Sequence, residues 1–159
     1  TTSQRPNQSV KHCLLAISFL LTACVAGNNR DLSHRAPFNA YAGSTVALLR
    51  PVYVFDDHGD NFTMPRYNIS DGPINSVPPD YGFCRLAPGH RVHIDSVRLK
   101  VGFDSGAFPT ALGHTFIPAL GKEVEFYCYL GVRQTLFRAP WEPLTVPARR
   151  NLEDPALLP

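Results

Sequence analysis

The stretch Lys122-Glu123-Val124-Glu125-Phe126-Tyr127-Cys128-Tyr129-Leu130 has the most regular alternation of side chains in this sequence. Every second position is apolar, at Val124, Phe126, Cys128 and Leu130. The positions between carry two glutamates and two tyrosines, Glu123, Glu125, Tyr127 and Tyr129. Because successive side chains of a strand point to opposite faces, this pattern predicts a β-strand with one face in a core. Gly131 ends the predicted strand, and Gln134 to Arg138 follows as its expected hairpin partner.

Shorter alternating segments lie upstream. One runs through Val92, Ile94, Val97, Leu99 and Val101, and its apolar phase shifts by one residue, which predicts a bulge near Ser96. A second apolar segment runs from Ser44 to Phe55. Pro51 interrupts it, which predicts two short strands there. We interpret Gly102 to Gly121 as a connection because glycines and prolines recur along it.

The composition indicates the fold class. With 15 prolines and 11 glycines, long helices are implausible. We therefore predict an all-β fold, a small barrel or sandwich of about five to seven short strands with little helix.

The segment Phe83 to Val101 combines a short strand, a Pro-Gly turn and a long bent strand. It is weakly similar to SH3-like domains of the bacterial cell envelope. This resemblance implies an SH3-like barrel for the domain.

The N-terminal segment has a composition of its own. Arg5 and Lys11 precede an apolar stretch from Cys13 to Leu21, and no acidic residue comes before it. The run Leu21-Thr22-Ala23-Cys24 follows directly. This layout resembles the signal peptide and lipobox of bacterial lipoproteins. The resemblance implies that residues 1–23 are removed and that Cys24 is lipidated, which anchors the protein to a membrane without crossing it.

The resemblance also suggests a location and a domain plan. Val25 stands where an Asp commonly retains such proteins in the inner membrane, so we expect the periplasmic face of the outer membrane. The expected organisation is a signal peptide at 1–23, a flexible tether at 24–40, one β domain at 41–146 and a C-terminal tail at 147–159.

The expected signal peptide has consequences for the state of the other cysteines and for the net charge of the mature chain. Cys84 and Cys128 are left in an oxidising compartment, so we predict a disulfide between them, with two buried free thiols as the alternative.

The net charge of the mature chain is zero. Removing Arg5 and Lys11 from the 15 basic residues leaves 13, equal to the 13 acidic ones. A neutral chain lacks the basic surface that nucleic acid binding requires. We expect no cofactor.

A binding surface is predicted from aromatic side chains. Paired tyrosines supply rigid amphipathic contact area, and the proline-rich segment Met64 to Tyr81 is interpreted as a long loop. The predicted surface consists of Tyr127 and Tyr129 with the loop residues Arg66, Tyr67 and Tyr81.

Metal sites are the weaker interpretation of two polar groups. Asp56 to Asp60 lacks the distal glutamate of a calcium loop and favours a solvated turn. His90, His93 and Asp95, with His114, favour a polar strand face over a zinc site. We expect no bound metal.

Three classes of function remain open. The first is a non-enzymatic binding or assembly module of the envelope, with another envelope protein or peptidoglycan as partner. The second is an inhibitor or immunity protein that blocks a wall hydrolase or toxin with the loop from Met64 to Tyr81. The third is a small hydrolase that uses the pair Glu123 and Glu125 or the pair His93 and Asp95. The oligomeric state is not predicted.

Overall fold

Eleven β-strands make up nearly all the regular structure of the computed structural model, which describes residues 30–57, 64–71, 83–102, 106–132 and 135–151. The predicted signal peptide, Cys24 and Tyr81 lie outside these residues. The strands are β1 Arg30–Asp31, β2 Ser44–Ala47, β3 Val52–Asp56, β4 Tyr67–Ser70, β5 Phe83–Leu86, β6 Arg91–Gly102, β7 Gly106–Ile117, β8 Lys122–Tyr129, β9 Gly131–Val132, β10 Thr135–Phe137 and β11 Arg149–Asn151. Two single 3-10 turns, Phe38–Ala40 and Pro118–Leu120, are the helical elements of this part of the chain. Nowhere in the described ranges is there a helix with the length and apolarity to span a membrane.

Eight strands form one mixed open sheet in the order β1-β6-β7-β8-β4-β3-β5, with β2 also paired to β6. All neighbours are antiparallel except β4 and β8, which run parallel. Strands β9, β10 and β11 form a separate small sheet. The all-β prediction is confirmed. Of the predicted SH3-like barrel or sandwich, the closed barrel is wrong, and the eleven strands exceed the predicted five to seven. Within the described residues the sheet stays open because β5 at one end does not pair with β1 or β2 at the other.

The centre of the sheet follows the alternation of the sequence. Val124, Phe126 and Cys128 of β8 are buried, while Glu123 and Glu125 are exposed. The predicted bulge is confirmed, because the pairing of β6 with β7 shifts register between Ile94 and Ser96. The predicted connection after Gly102 is wrong, since most of it is the twelve-residue strand β7. Its core-facing positions are mostly small residues and escape a search for large apolar side chains: Ala107, Pro109, Ala111, Gly113, Thr115 and Ile117.

Residues 30–41 pack onto the large sheet. Arg30 and Asp31 pair with β6, and Leu32 and Phe38 are fully buried in the core cluster. Tyr41 lies edge-on to Phe38, with ring centroids 6.4 Å apart. The predicted tether therefore does not include residues 30–40. Its polar composition conceals apolar anchors spaced several residues apart.

The C-terminal segment is also structured. Arg149–Asn151 pairs with β10, so this part of the predicted tail at 147–159 is a strand, and residues 152–159 lie outside the described residues. Strand β10 pairs with β9 and β11, and its Phe137 N–H donates to the Leu130 carbonyl oxygen at 2.7 Å. The predicted hairpin therefore forms at the end of the predicted strand and with β9, and not alongside β8. Trp141 is buried in the core cluster against Tyr41, with ring centroids 5.5 Å apart.

One glycine permits the central strands to pack. A Cβ placed on Gly113 of β7 would overlap the backbone carbonyl of His93 on β6 and approach the ring of Phe126. Gly113 lies beside the bulge, opposite Ile94. The bulge therefore requires a residue without a side chain at this position of β7.

The two cysteines of the domain are free thiols, which corrects the predicted disulfide. Cys84 lies on β5 and Cys128 on β8, and β3 and β4 run between these strands. Three strand spacings separate them by about 14 Å, well beyond the Cα separation of about 7 Å that a disulfide tolerates. A sequence alone does not reveal this strand order.

Candidate functional site

The outer face of β8 carries an aromatic cluster that we call the tyrosine face, consisting of Tyr127, Tyr129, Phe108 and Asp57. The rings of Tyr127 and Tyr129 meet edge-on with centroids 5.3 Å apart, and the ring of Phe108 lies 5.7 Å from that of Tyr129. The Tyr127 hydroxyl donates a hydrogen bond to the Asp57 carboxylate. The tyrosine face therefore joins residues of two strands, β7 and β8, with one residue that directly follows β3.

The two tyrosines have different roles in this cluster. Tyr127 is only 3% exposed, whereas Tyr129 is 42% exposed. Burial, together with the hydrogen bond to Asp57, raises the pKa of Tyr127, so its hydroxyl stays protonated at physiological pH. Tyr127 packs edge-on against Tyr129, and Tyr129 is the member of the predicted pair that offers contact area.

The remaining predicted surface residues are divided between the faces of the sheet. Tyr67 of β4 lies opposite Phe126 and packs against the core, so it faces away from Tyr129. Arg66 forms a two-point ion pair with Asp56, with both N–O distances at 2.6 Å, and its guanidinium lies 5.7 Å from the centre of the Tyr67 ring. Tyr81 lies outside the described residues. The structure thus places Tyr67 on β4, the strand next to β8, and Arg66 directly before it, without adding Tyr67 to the tyrosine face.

The predicted loop from Met64 to Tyr81 contains a strand instead of a continuous projection. Its residues Tyr67–Ser70 are β4, which lies between β8 and β3 within the large sheet. The described part of this segment therefore offers no protruding element of the kind that an inhibitor inserts into an active site. Residues 72–80 lie outside the described ranges.

A cleft of about 520 Å³ opens beside Tyr129, where β4 ends. We call it the arginine cleft because Arg50, Arg138 and Arg149 line it together with Asp71. Its other lining residues include the apolar side chains of Ile69, Phe137 and Pro140. Clefts of this size accommodate small organic ligands or a few residues of a peptide.

The three guanidinium groups of the cleft are held differently. Arg50 donates to Asp71 at 2.9 and 3.0 Å and to the carbonyl oxygens of Arg138, Ala139 and Glu142. Arg138 donates from Nη1 to the carbonyl oxygens of Leu144 and Val146 at 3.1 and 3.0 Å. Arg149 is exposed on β11. Arg50 therefore anchors the wall of the cleft, while Arg149 faces solvent.

Sequence reasoning did not find this cleft. Arg50 lies between two strands, Arg138 and Pro140 follow β10, and Arg149 belongs to the segment interpreted as a tail. No spacing in the sequence connects residues about 90 positions apart, as Arg50 and Arg138 are. Only the docking of the small sheet against the end of β4 assembles them.

A polar cluster occupies the opposite end of the outer face. The imidazoles of His93 and His114 stack with centroids 4.7 Å apart, and Asp95 lies 3.6 Å from His93 Nε2 and 3.2 Å from His114 Nδ1. Thr45 Oγ1 lies 2.9 Å from His93 Nδ1. Side by side, the rings do not converge on a point, and within the described residues no group of three or more ligating side chains has the arrangement of a metal site. His90 is separate, with its Nε2 2.9 Å from the Thr115 hydroxyl.

The carboxylates considered for hydrolysis lie on the same outer face. Glu123 and Glu125 are both exposed and alternate along β8, so they project in the same direction. The Glu123 carboxylate lies 3.7 Å from His114 Nε2. A glycosidase needs two carboxylates on either side of the scissile bond, and this pair lies side by side.

Both thiols are held in their neutral form. Burial raises the pKa of Cys84, and burial together with the nearby Asp71 raises the pKa of Cys128. Because the thiolate is the nucleophile, a raised pKa makes these sulfurs unreactive at neutral pH. The two cysteines therefore act as small apolar residues of the core cluster and its edge.

Comparisons with protein-family models, with curated proteins and with solved structures found no match to this chain.

Proposed function

We propose that this protein is a lipid-anchored, non-enzymatic binding module of the bacterial cell envelope. Cys24 carries the lipid, and the β domain contacts a partner on the periplasmic side of the outer membrane. The N-terminal charge pattern, apolar run and lipobox support the anchor. The partner is an envelope protein or a peptidoglycan component.

The observation that carries the binding role is the position of Tyr129. A large aromatic ring is 42% exposed while Tyr127 and Phe108 pack against it, and it also lines the arginine cleft. Exposed aromatic residues supported by packed neighbours are typical anchors of protein interfaces. Tyr129 therefore joins an aromatic contact to a charged cleft within one surface.

The anchor is tested by the intact mass of the full chain extracted from membranes of an expressing bacterium. We expect the mass to lack residues 1–23 and to include added acyl groups. A Cys24→Ala variant, whose acceptor sulfur is removed, should lack the added mass and leave the membrane fraction. An extracted protein that keeps residues 1–23 and carries no lipid would refute the anchor.

The binding surface is tested by co-purification from detergent-solubilised envelope, with the acylated protein as bait. Tyr129→Ala removes the exposed ring, and we expect partner recovery to fall at least tenfold, because interface tyrosines of this kind contribute about 2 kcal/mol or more. Recovery is measured by quantitative mass spectrometry of the captured proteins and wall fragments.

Phe116→Ala is the matched control for this experiment. Phe116 of β7 is 53% exposed on the same outer face, opposite Glu123 and about 20 Å along the strands from Tyr129. Its removal should leave recovery unchanged. Equal recovery with Tyr129→Ala and the unaltered protein would rule out this surface, and equal losses in both variants would indicate nonspecific adhesion to aromatic side chains.

A further inference from the structure

The arginine cleft carries more positive than negative charge. Three guanidinium groups line it, and Asp71 is the single acidic residue among its lining residues. Asp71 is paired with Arg50 at 2.9 Å. No ion pair with a described carboxylate involves Arg138 or Arg149. Two arginines therefore line the same space without an ion pair to a carboxylate in the described part of the chain.

Arg138 is fixed in place at the wall of the cleft. Two carbonyl oxygens hold its Nη1, so the side chain has little freedom left to lose on binding. Its Nε is buried and has no hydrogen-bond partner among the described residues. A buried donor without a partner costs free energy.

We propose that the arginine cleft binds the carboxylate of a peptide segment of the partner, an inference that rests on the proposed function for its biological setting. Guanidinium groups match a planar carboxylate with paired hydrogen bonds. Apolar side chains line the same cleft, at Ile69, Phe137 and Pro140, and Tyr129 lies at its edge. These contacts suit the carbon chain and backbone of a peptide better than a bare inorganic anion.

The test uses acetyl-Leu-Glu, which carries two carboxylates, and its diamide, which has the same shape and no charge. Each is titrated into the soluble domain that begins after Cys24, and binding is followed by the amide NMR signals of Ser70, Tyr129 and Arg149. We expect the dicarboxylate to shift these signals saturably and the diamide to bind at least tenfold more weakly. The affinity should fall as salt is added, because screening weakens exposed charges.

Arg149→Gln is the variant that tests the cleft itself. It removes one exposed guanidinium, and we expect affinity for the dicarboxylate to fall about tenfold while the amide signals of the other strands stay in place. Arg91→Gln is its matched control, because Arg91 is an exposed arginine of β6 that does not line the cleft. That variant should change affinity by no more than about twofold, since the global charge changes equally in both variants.

Three results would overturn the inference: equal binding of the diamide, unchanged affinity in Arg149→Gln, or inorganic phosphate that shifts the same signals as tightly as the peptide. The last would assign the cleft to anions in general. If one of these results is obtained while partner recovery still depends on Tyr129, the carboxylate inference is wrong and the proposed function stands. If the dicarboxylate does not bind selectively and partner recovery does not depend on Tyr129, both the carboxylate inference and the proposed binding surface are wrong.

Discussion

Replacing Glu142 with alanine is expected to lower the free energy of unfolding by about 3–5 kcal/mol, the range for removing one partner of a buried ion pair. Glu142 is nearly buried and accepts hydrogen bonds from Arg150 at 2.6 and 3.2 Å and from the backbone N–H of Ala139 at 2.7 Å. Alanine leaves a mostly buried guanidinium and a buried N–H without these partners. Urea unfolding of the domain followed by Trp141 fluorescence measures the change.

Two further variants separate charge from hydrogen bonding at this site. Glu142→Gln keeps an acceptor for the Ala139 N–H, so we expect it to lose clearly less stability than Glu142→Ala. Arg66→Ala breaks an ion pair of equal length at an exposed position, and the unfolding midpoint should move little. If Glu142→Ala changes the free energy of unfolding by less than about 1 kcal/mol, the pair does not hold the C-terminal segment onto the domain.

Gly113→Ala is expected to cost about 3 kcal/mol or more, at the upper end of the range for overpacked sites. The added Cβ overlaps the His93 carbonyl, which belongs to the backbone of β6 and has no rotamer to relieve the overlap. Either β6 and β7 separate at the bulge or the Phe126 ring is displaced from the core. The free energy of unfolding again provides the measurement, and the amide signals of His93 and Gly113 should shift most.

Gly121→Ala is the matched control for a methyl group added to a glycine. Gly121 has a φ of 61°, and a Cβ added there meets no atom within 4 Å. The loss in the free energy of unfolding therefore comes only from the left-handed backbone. About 1–2 kcal/mol is the expected loss. Equal losses at the two positions would mean that β6 and β7 have room for a side chain beside the bulge.

The alternation of side chains predicted β6 and β8 well because it is a local property. Burial of one face imposed the period of two on β8, and the phase shift at Ser96 marked the bulge. Strand β7 was missed because alanine, glycine and proline carry little hydrophobic signal, although the tight packing of three central strands favours them. The sequence of β7 therefore reflects close packing more than hydrophobicity.

Properties that depend on strand order were not accessible from the sequence. Cys84 and Cys128 are the only cysteines after Cys24, and nothing in their spacing shows that two strands separate them. Alternation placed Tyr127 and Tyr129 on one face but did not show that one of them is covered. The arginine cleft depends on the docking of three distant segments, which only tertiary structure determines.

The parallel contact between β4 and β8 has a consequence for how this domain acquires its binding surface. Strands β3, β4 and β5 pair among themselves, as do β6, β7 and β8, and each group consists of contacts fairly close in the chain. Among the described residues, two residue pairs, Tyr67 with Phe126 and Asn68 with Tyr127, join the groups into one sheet. Contacts between distant segments form late in folding because their loop-closure entropy comes first. The arginine cleft lies across this seam, so a partner that recognises it distinguishes the completed fold from either half.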